Sequence, residues 1–274
     1  MGDPRCPWGG RTAVMGVLNL TPDSFSDGGH HLRPEAAVRQ AGVMLAQGAD
    51  LLDLGAQSTR PGAEEVGPAR ELERLLPALL AIRAAHPTAL LSIDTFHAAV
   101  AEAALEAGAH WINDVSGGRR DPALLRLAAS AGCPVVLMHS RGDSRSMDQL
   151  AHYGDVVGEV HAGLLEATDA AIAAGVRSTQ VIWDPGLGFA KDTAHNMALL
   201  RGLAQLATEG FPLLVGPSRK RFIGDVLNEP RPRARLWGTA AVCSHAIAQG
   251  ARILRVHDVG PIVQTARMAD ALRA

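Results

Sequence analysis

Two hydrophobic periods take turns along the chain. Short, nearly continuous apolar runs cover Ala13–Leu18, Asp50–Leu54, Ala89–Ile93, Trp111–Ile112, Pro134–Met138, Gln180–Trp183, Leu213–Val215 and Ile253–Val256. Runs of this kind, bounded by turn residues, predict strands buried on both faces. Between them, apolar residues recur at every third or fourth position. That spacing predicts helices over Pro34–Gln47, Ala69–Ala85, His97–Ala107, Ala123–Ala131, Val156–Ala174, Ala194–Ala207 and Pro261–Ala271, and after Leu213–Val215 a helix broken around Pro230–Pro232 that resumes over Thr239–Ala248. Pro34 suits a first helical turn, and Gly48, Gly108, Gly132 and Gly175 suit helix ends. Eight strand–helix units follow one another with no composition break. The expected fold is α/β: a single domain over 1–274 closed as a (β/α)8 TIM barrel, the barrel proper running from about 13 to 272. The alternative, an open doubly wound sheet, lacks its glycine-rich dinucleotide turn after the first strand.

Composition narrows the class. Aromatic residues make up 4% of the 274, so the core is built from Ala, Leu, Val and Ile, as layered barrel interiors are. A formal charge of −2 gives no electrostatic case for nucleic acid or an anionic membrane. No uncharged apolar run is long enough to span a bilayer, and Met1–Thr12 has no apolar segment of the signal-peptide kind. Cys6, Cys133 and Cys243 form no metal or disulfide pattern, which suits a reducing compartment. A soluble cytoplasmic protein is expected.

The ends of the strands carry the chemistry. At or just beyond them stand Asn19, Asp53, Asp94, Asn113 with Asp114, Met138 with His139, Asp184, Ser218 to Lys220, and Arg255 with His257. In a parallel barrel these positions converge on one pocket at the C-terminal mouth. Asp94, Asn113 and Asp184 suit a flat heterocycle with adjacent N–H donors, such as a 2-amino-4-oxopyrimidine, which a carboxylate grips through two parallel bonds. Lys220, Arg255 and His257 come from the last two strands, where barrels commonly hold phosphate, and closure brings Asn19 to the same corner. The expected pocket takes a donor-rich ring at one end and an anion at the other. Two alternatives stay open. Asp184 caps its own Asp-Pro-Gly turn, or Arg255 pairs with a buried acid such as Asp53 and supports the barrel.

Six stretches carry a resemblance: Met15 through Gly29 (MGVLNLTPDSFSDGG), Ser58-Thr59-Arg60-Pro61-Gly62, Ile112 through Gly118 (INDVSGG), Asp184-Pro185-Gly186-Leu187-Gly188-Phe189, Ser218-Arg219-Lys220 and Arg255-Val256-His257-Asp258. In order and spacing, from about Val14 to Val259, the chain resembles the dihydropteroate synthases. The resemblance implies an enzyme of folate biosynthesis that joins 6-hydroxymethyl-7,8-dihydropterin diphosphate to 4-aminobenzoate and releases diphosphate. It implies that Asp94, Asn113 and Asp184 hold the pterin, with Lys220 at the ring's carbonyl side and Met138 and Phe189 in apolar contact. Thr59, Arg60 and Ser218 would touch the substrates, and Arg255, His257 and Asn19 the diphosphate. Lys220, Arg255, His257 and Asp94 are the expected catalytic groups. Mg2+ would ride mostly on diphosphate oxygens, with Asn19 as its protein ligand. The loops Asn19–His31 and Ala56–Gly67 would close over the site, and late helices would pair two copies into a homodimer.

Two departures and two other readings accompany the resemblance. Gln57 stands where the family usually has Glu, and Arg221 where many members have Ser. A pterin-binding methyltransferase barrel would share the acids without needing the anion corner. A non-catalytic pterin-binding paralogue would not need the intact first loop and strand ends.

Overall fold

The computed structural model describes residues 9–21, 34–58 and 62–273. Eight parallel strands, β1 (Ala13–Asn19), β2 (Leu51–Gly55), β3 (Leu91–Asp94), β4 (Trp111–Asp114), β5 (Val135–Met138), β6 (Val181–Asp184), β7 (Leu213–Val215) and β8 (Ala251–Val256), close in sequence order into a barrel. Around it run α1 (Pro34–Ala46), α2 (Pro68–Ala85), α3 (Ala98–Glu106), α4 (Ala123–Ala131), α5 (Val156–Ala173), α6 (Thr193–Arg201), α7 (Leu203–Ala207), α8 (Arg221–Leu227), α9 (Leu236–Ala248) and α10 (Val259–Arg273). The expected (β/α)8 barrel is the fold.

Local chemistry explains the elements. In α5, Val156, Val160, Leu164, Ala167 and Ala171 fall on one buried stripe, and Asp155 caps its start by accepting from Val157 N at 3.1 Å. Gly132 ends α4 at φ +67, a left-handed conformation cheap only for glycine. The predicted helix Ala194–Ala207 is two helices, because the chain turns at Gly202, where a Cβ would lie 2.7 Å from Val157.

The two faces of each strand have separate work. Outward residues join a large cluster with the helices, including Leu52, Leu54, Ile112, Leu137, Trp183 and Leu254. Inward residues Ala13, Met15, Leu51, Trp111, Val136, Ile182, Leu214 and Ile253 fill the barrel's lower interior. Side chains alternate along a strand, so the residue two places further on also points inward. Above Leu51 comes Asp53, above Trp111 Asn113, above Val136 Met138, above Ile182 Asp184, and above Ile253 Arg255. Above Ser92 comes Asp94 and above Val17 comes Asn19. A dry floor thus carries a polar ceiling, and that ceiling is the site.

Candidate active site

The strands run further than their apolar stretches because their last inward residues are polar yet still in the ladder. Asp94 is in register with Asn113 and with Gly55, and Met138 with Asp184. Asp53 is fully buried, while Asp94, Asn113 and Asp184 keep only slivers of exposure toward the mouth. Asp114, next to Asn113, faces outward. Its oxygens accept from Ser116 N at 2.7 Å and Gly118 N at 2.6 Å, so it orders the β4 loop rather than entering the pocket.

Arg255 ties the acids together. Its Nε donates to Asp53 Oδ2 at 2.6 Å and its Nη2 to Asp94 Oδ2 at 2.6 Å. Asn113 Nδ2 donates to the same Asp53 oxygen at 2.9 Å, and Asp53 Oδ1 is buried with no partner among the described residues. The pairing with Asp53 is the alternative the sequence left open for Arg255, and it has a simple cause. The position two above Ile253 points into the barrel, where those carboxylates are. Nη1 takes no part in either bond. Burial works against the guanidinium's charge, but Asp53 and Asp94 more than offset it and hold its pKa above the ordinary range. Burial pushes Asp94 up to about 7, with Arg255 pulling the other way.

On the opposite wall, Asp184 accepts from Gly186 N at 2.7 Å, so it does cap its own turn. Burial raises its pKa against the opposing charge of Lys220. Lys220 Nζ donates to Leu187 O and sits 4.4 Å from the centre of the Phe189 ring. Burial lowers this lysine to about 8, with Asp184 opposing. Its backbone is held from behind by the buried Arg235, which donates to Arg219 O (3.0 Å), Lys220 O (3.3 Å), Glu229 O (2.9 Å) and Pro230 O (2.8 Å). Arg219 turns outward at φ +62 onto Asp258, 2.9 Å from Nε. Ser218 Oγ accepts from His257 N at 3.1 Å and lies 3.0 Å from His257 Nδ1, joining the ends of β7 and β8.

The structure therefore gathers Asp94, Asn113, Met138, Asp184, Phe189, Ser218, Lys220, Arg255 and His257 at one mouth, with Asn19 at the end of the neighbouring β1. Thr59, Arg60 and most of the loop Asn19–His31 lie outside the described residues. The departure at Gln57 has a role. Its Oε1 accepts from Val66 N at 2.8 Å while Nε2 donates to Ser58 O at 3.1 Å, closing the β2–α2 loop with a donor no carboxylate has. Arg221 is exposed at the rim, 3.3 Å from Asp148. A cleft of about 50 Å³ opens beside Phe189, with Gln57, Phe96, Ser116, Ser140 and Met147 in its walls. Asp53, expected among the strand-end residues, enters the site as the partner of Arg255, whereas Lys191 was not among the expected site residues. Cys133 and Cys243 are core, and burial raises their thiols to about 11 and about 12, so neither offers a thiolate.

Acids and an amide facing a cationic corner at a barrel mouth define a binder of small, donor-rich, anionic substrates. The model of the pterin binding enzyme family matches residues 15–257. The chain is 49% identical over 272 residues to the dihydropteroate synthase of Synechocystis sp., covering 99% of this chain and 94% of that protein. It superposes at TM-score 0.90 on the Xanthomonas albilineans dihydropteroate synthase solved with 4-aminobenzoic acid, at 44% identity, covering 97% of this chain and 94% of that one. The same enzyme in complex with 7,8-dihydropteroate gives TM-score 0.86 at 42% identity over 97% and 95% of the two chains. The chain belongs to the dihydropteroate synthase family of pterin binding enzymes.

Proposed function

We propose that this protein is a dihydropteroate synthase, transferring the pterinylmethyl group of 6-hydroxymethyl-7,8-dihydropterin diphosphate to 4-aminobenzoate with release of diphosphate. The observation that carries the reading is the inward ring of Asp94, Asn113 and Asp184 set opposite Lys220 and beside Arg255, on a chain matching its relatives over nearly its whole length. Ionised Asp184 accepts the ring's N–H groups, and Lys220 donates to the ring carbonyl. Met138 and Phe189 pack its faces. Departure of diphosphate puts negative charge on the leaving oxygens and positive charge on the methylene. Lys220, His257 and Arg255 Nη1 stabilise the first, and the ring held against Asp94 and Asp184 the second. The aryl amine attacks in its neutral form, so no strong base is required of the protein.

Mg2+ fits what the chain offers. Among the described residues no group of three or more His, Cys, Asp or Glu could hold a metal. Asn19, half-buried at the end of β1, supplies one neutral side-chain oxygen. An ion that keeps waters and substrate oxygens needs little more; bound there, it would neutralise charge on the diphosphate. A homodimer in the cytoplasm completes the reading, in keeping with the scattered cysteines and with the absence, among the described residues, of a helix long and apolar enough to cross a membrane.

The test is a diphosphate-release assay on purified protein. Release should require both substrates and Mg2+, and a sulfonamide should compete with 4-aminobenzoate. Failure to turn over across pH and Mg2+ conditions, with intact pterin binding, would return the non-catalytic paralogue to favour.

A further inference from the structure

Lys191 is buried, 3% exposed, at the end of the loop that follows β6. Its Nζ donates to Gly186 O at 3.1 Å and Phe189 O at 3.0 Å, and lies 3.1 Å from His139 Nδ1 and 3.4 Å from His139 O. An ammonium has three N–H groups, which match two loop carbonyls and one imidazole lone pair. The ammonium fits with His139 neutral and its proton on Nε2, whereas a neutral amine fits only if His139 carries its proton on Nδ1 and donates it to the amine. Burial, reinforced by the charge of the nearby Lys191, lowers His139 to about 3. Burial also lowers Lys191 well below its usual value, with Asp184 opposing; Lys220, Arg141 and Arg119 are the other charges facing it, and the Tyr153 ring lies 5.9 Å away.

A buried cation is costly, so its setting matters. The loop it ties has three left-handed residues in five: Gly186 (φ 69), Gly188 (φ 75) and Ala190 (φ 49). A Cβ at Gly186 would stand 1.9 Å from His139 O, so the loop lies hard against the end of β5. Such backbone persists only where its surroundings hold it. Asn196 holds one side, accepting from Gly188 N at 2.7 Å and donating to Lys191 O at 3.1 Å. Lys191 holds the other. Gly186 is thus gripped between opposite charges: its N–H donates to Asp184 and its C=O accepts from Lys191. The same loop carries the Leu187 carbonyl and the Phe189 ring that receive Lys220.

We propose that Lys191 is a positioning residue: its buried ammonium locks the Gly186–Phe189 loop to the end of β5 and holds Asp184 as the anion that grips the ring. The role rests on the dihydropteroate synthase reading, because the ring is what Asp184 and Phe189 contact in it. Two variants separate charge from loop geometry. Lys191→Met removes the charge and the donors but keeps the aliphatic stem; Asn196→Ala loosens the same loop with no change of charge. The Asp184 carboxyl is followed by 13C NMR titration, assigned from Asp184→Asn, alongside steady-state kinetics. In Lys191→Met the Asp184 midpoint should rise by about half to one pH unit, since a neighbouring cation is gone. Its kcat/KM for the pterin diphosphate should fall about ten-fold at pH 7. Asn196→Ala should lose kcat/KM while its Asp184 midpoint stays at the wild-type value. An unshifted midpoint in Lys191→Met, or an equal shift in Asn196→Ala, overturns the role. Should Lys191→Met be insoluble, Lys191→Gln, neutral with two donors, must show the same shift or the role is rejected. The NMR arm needs no turnover, so a wild-type protein inactive with both substrates counts against the proposed reaction and leaves the Lys191 comparison readable.

Discussion

At the scale of single residues, the decisive group is Arg255, because it lies between two assignments. Its guanidinium bridges Asp53 and Asp94 at 2.6 Å each, so it organises the acids at the ring's end and has only Nη1 outside those two bonds. Removing it leaves two carboxylates buried together, one of which already has an oxygen without a partner among the described residues. Breaking a buried pair from one side costs about 3 kcal/mol or more. Arg255→Ala is therefore expected to lower the unfolding temperature clearly and to weaken 6-hydroxymethylpterin, free diphosphate and the pterin diphosphate together. Calorimetry with those three ligands, beside a thermal melt, checks it. A variant with wild-type stability that loses diphosphate alone would restore a pocket with two independent ends.

At the scale of elements, the sequence showed which segments are strands and helices but not where the strands stop. Hydrophobic runs ended at Ile93, Ile112 and Trp183, whereas β3, β4 and β6 continue to Asp94, Asp114 and Asp184. A polar residue breaks an apolar pattern, yet it keeps its place in the ladder when its side chain points into the site, as with Asp94 and Asp184, or orders the following loop, as with Asp114. The motif residues were legible for that reason, and Lys191 was not: nothing in its own neighbourhood says that a lysine after a glycine-rich loop turns back under it. The first turn of α2 holds another such residue. Glu71 is 1% exposed, neither oxygen has a hydrogen-bond partner of good geometry among the described residues, and His97 Nε2 stands 4.0 Å away. Burial raises it to about 7, outweighing Thr95 and Arg74. The folded protein thus binds this proton more tightly than the unfolded chain. Stability from it is full below the unfolded value near 4.5 and is lost as pH rises through about 7. Glu71→Gln, always neutral, should gain on the order of 1–3 kcal/mol at pH 8 and far less at pH 5. Denaturant unfolding at both pH values decides it, and an equal gain at each would remove the carboxyl from the account.

At the scale of the whole molecule, one region of the outer helix ring is left exposed by the described residues. In α9 the residues Thr239, Cys243, Ala246 and Ile247 face the barrel, which accounts for the small residues there by burial. The opposite face carries Trp237, Ala241, His245 and Ala248, all exposed, and Trp237 is 77% exposed. Leu227 at the end of α8 lies beside the start of α9, since a Cβ at Gly238 would meet its Cδ1 at 2.7 Å. Val226 and Leu227 are exposed on that helix, as are Met268 and Leu272 one turn apart on α10, which packs along α9. Exposed large apolar side chains on three adjacent helices suit a surface that a second copy covers, and an aromatic residue at its centre is the usual energetic anchor. The patch is made by the outer helices and the site by the strand ends, so pairing need not touch the chemistry. Trp237→Lys should therefore weaken the proposed homodimer by about 2–4 kcal/mol, shifting micromolar protein to monomer in sedimentation velocity. Turnover at saturating substrates should persist in that monomer, with a lower unfolding temperature. A variant that still sediments as a dimer would move the interface to another face, and a wild-type protein that sediments as a monomer at tens of micromolar would remove the homodimer from the reading.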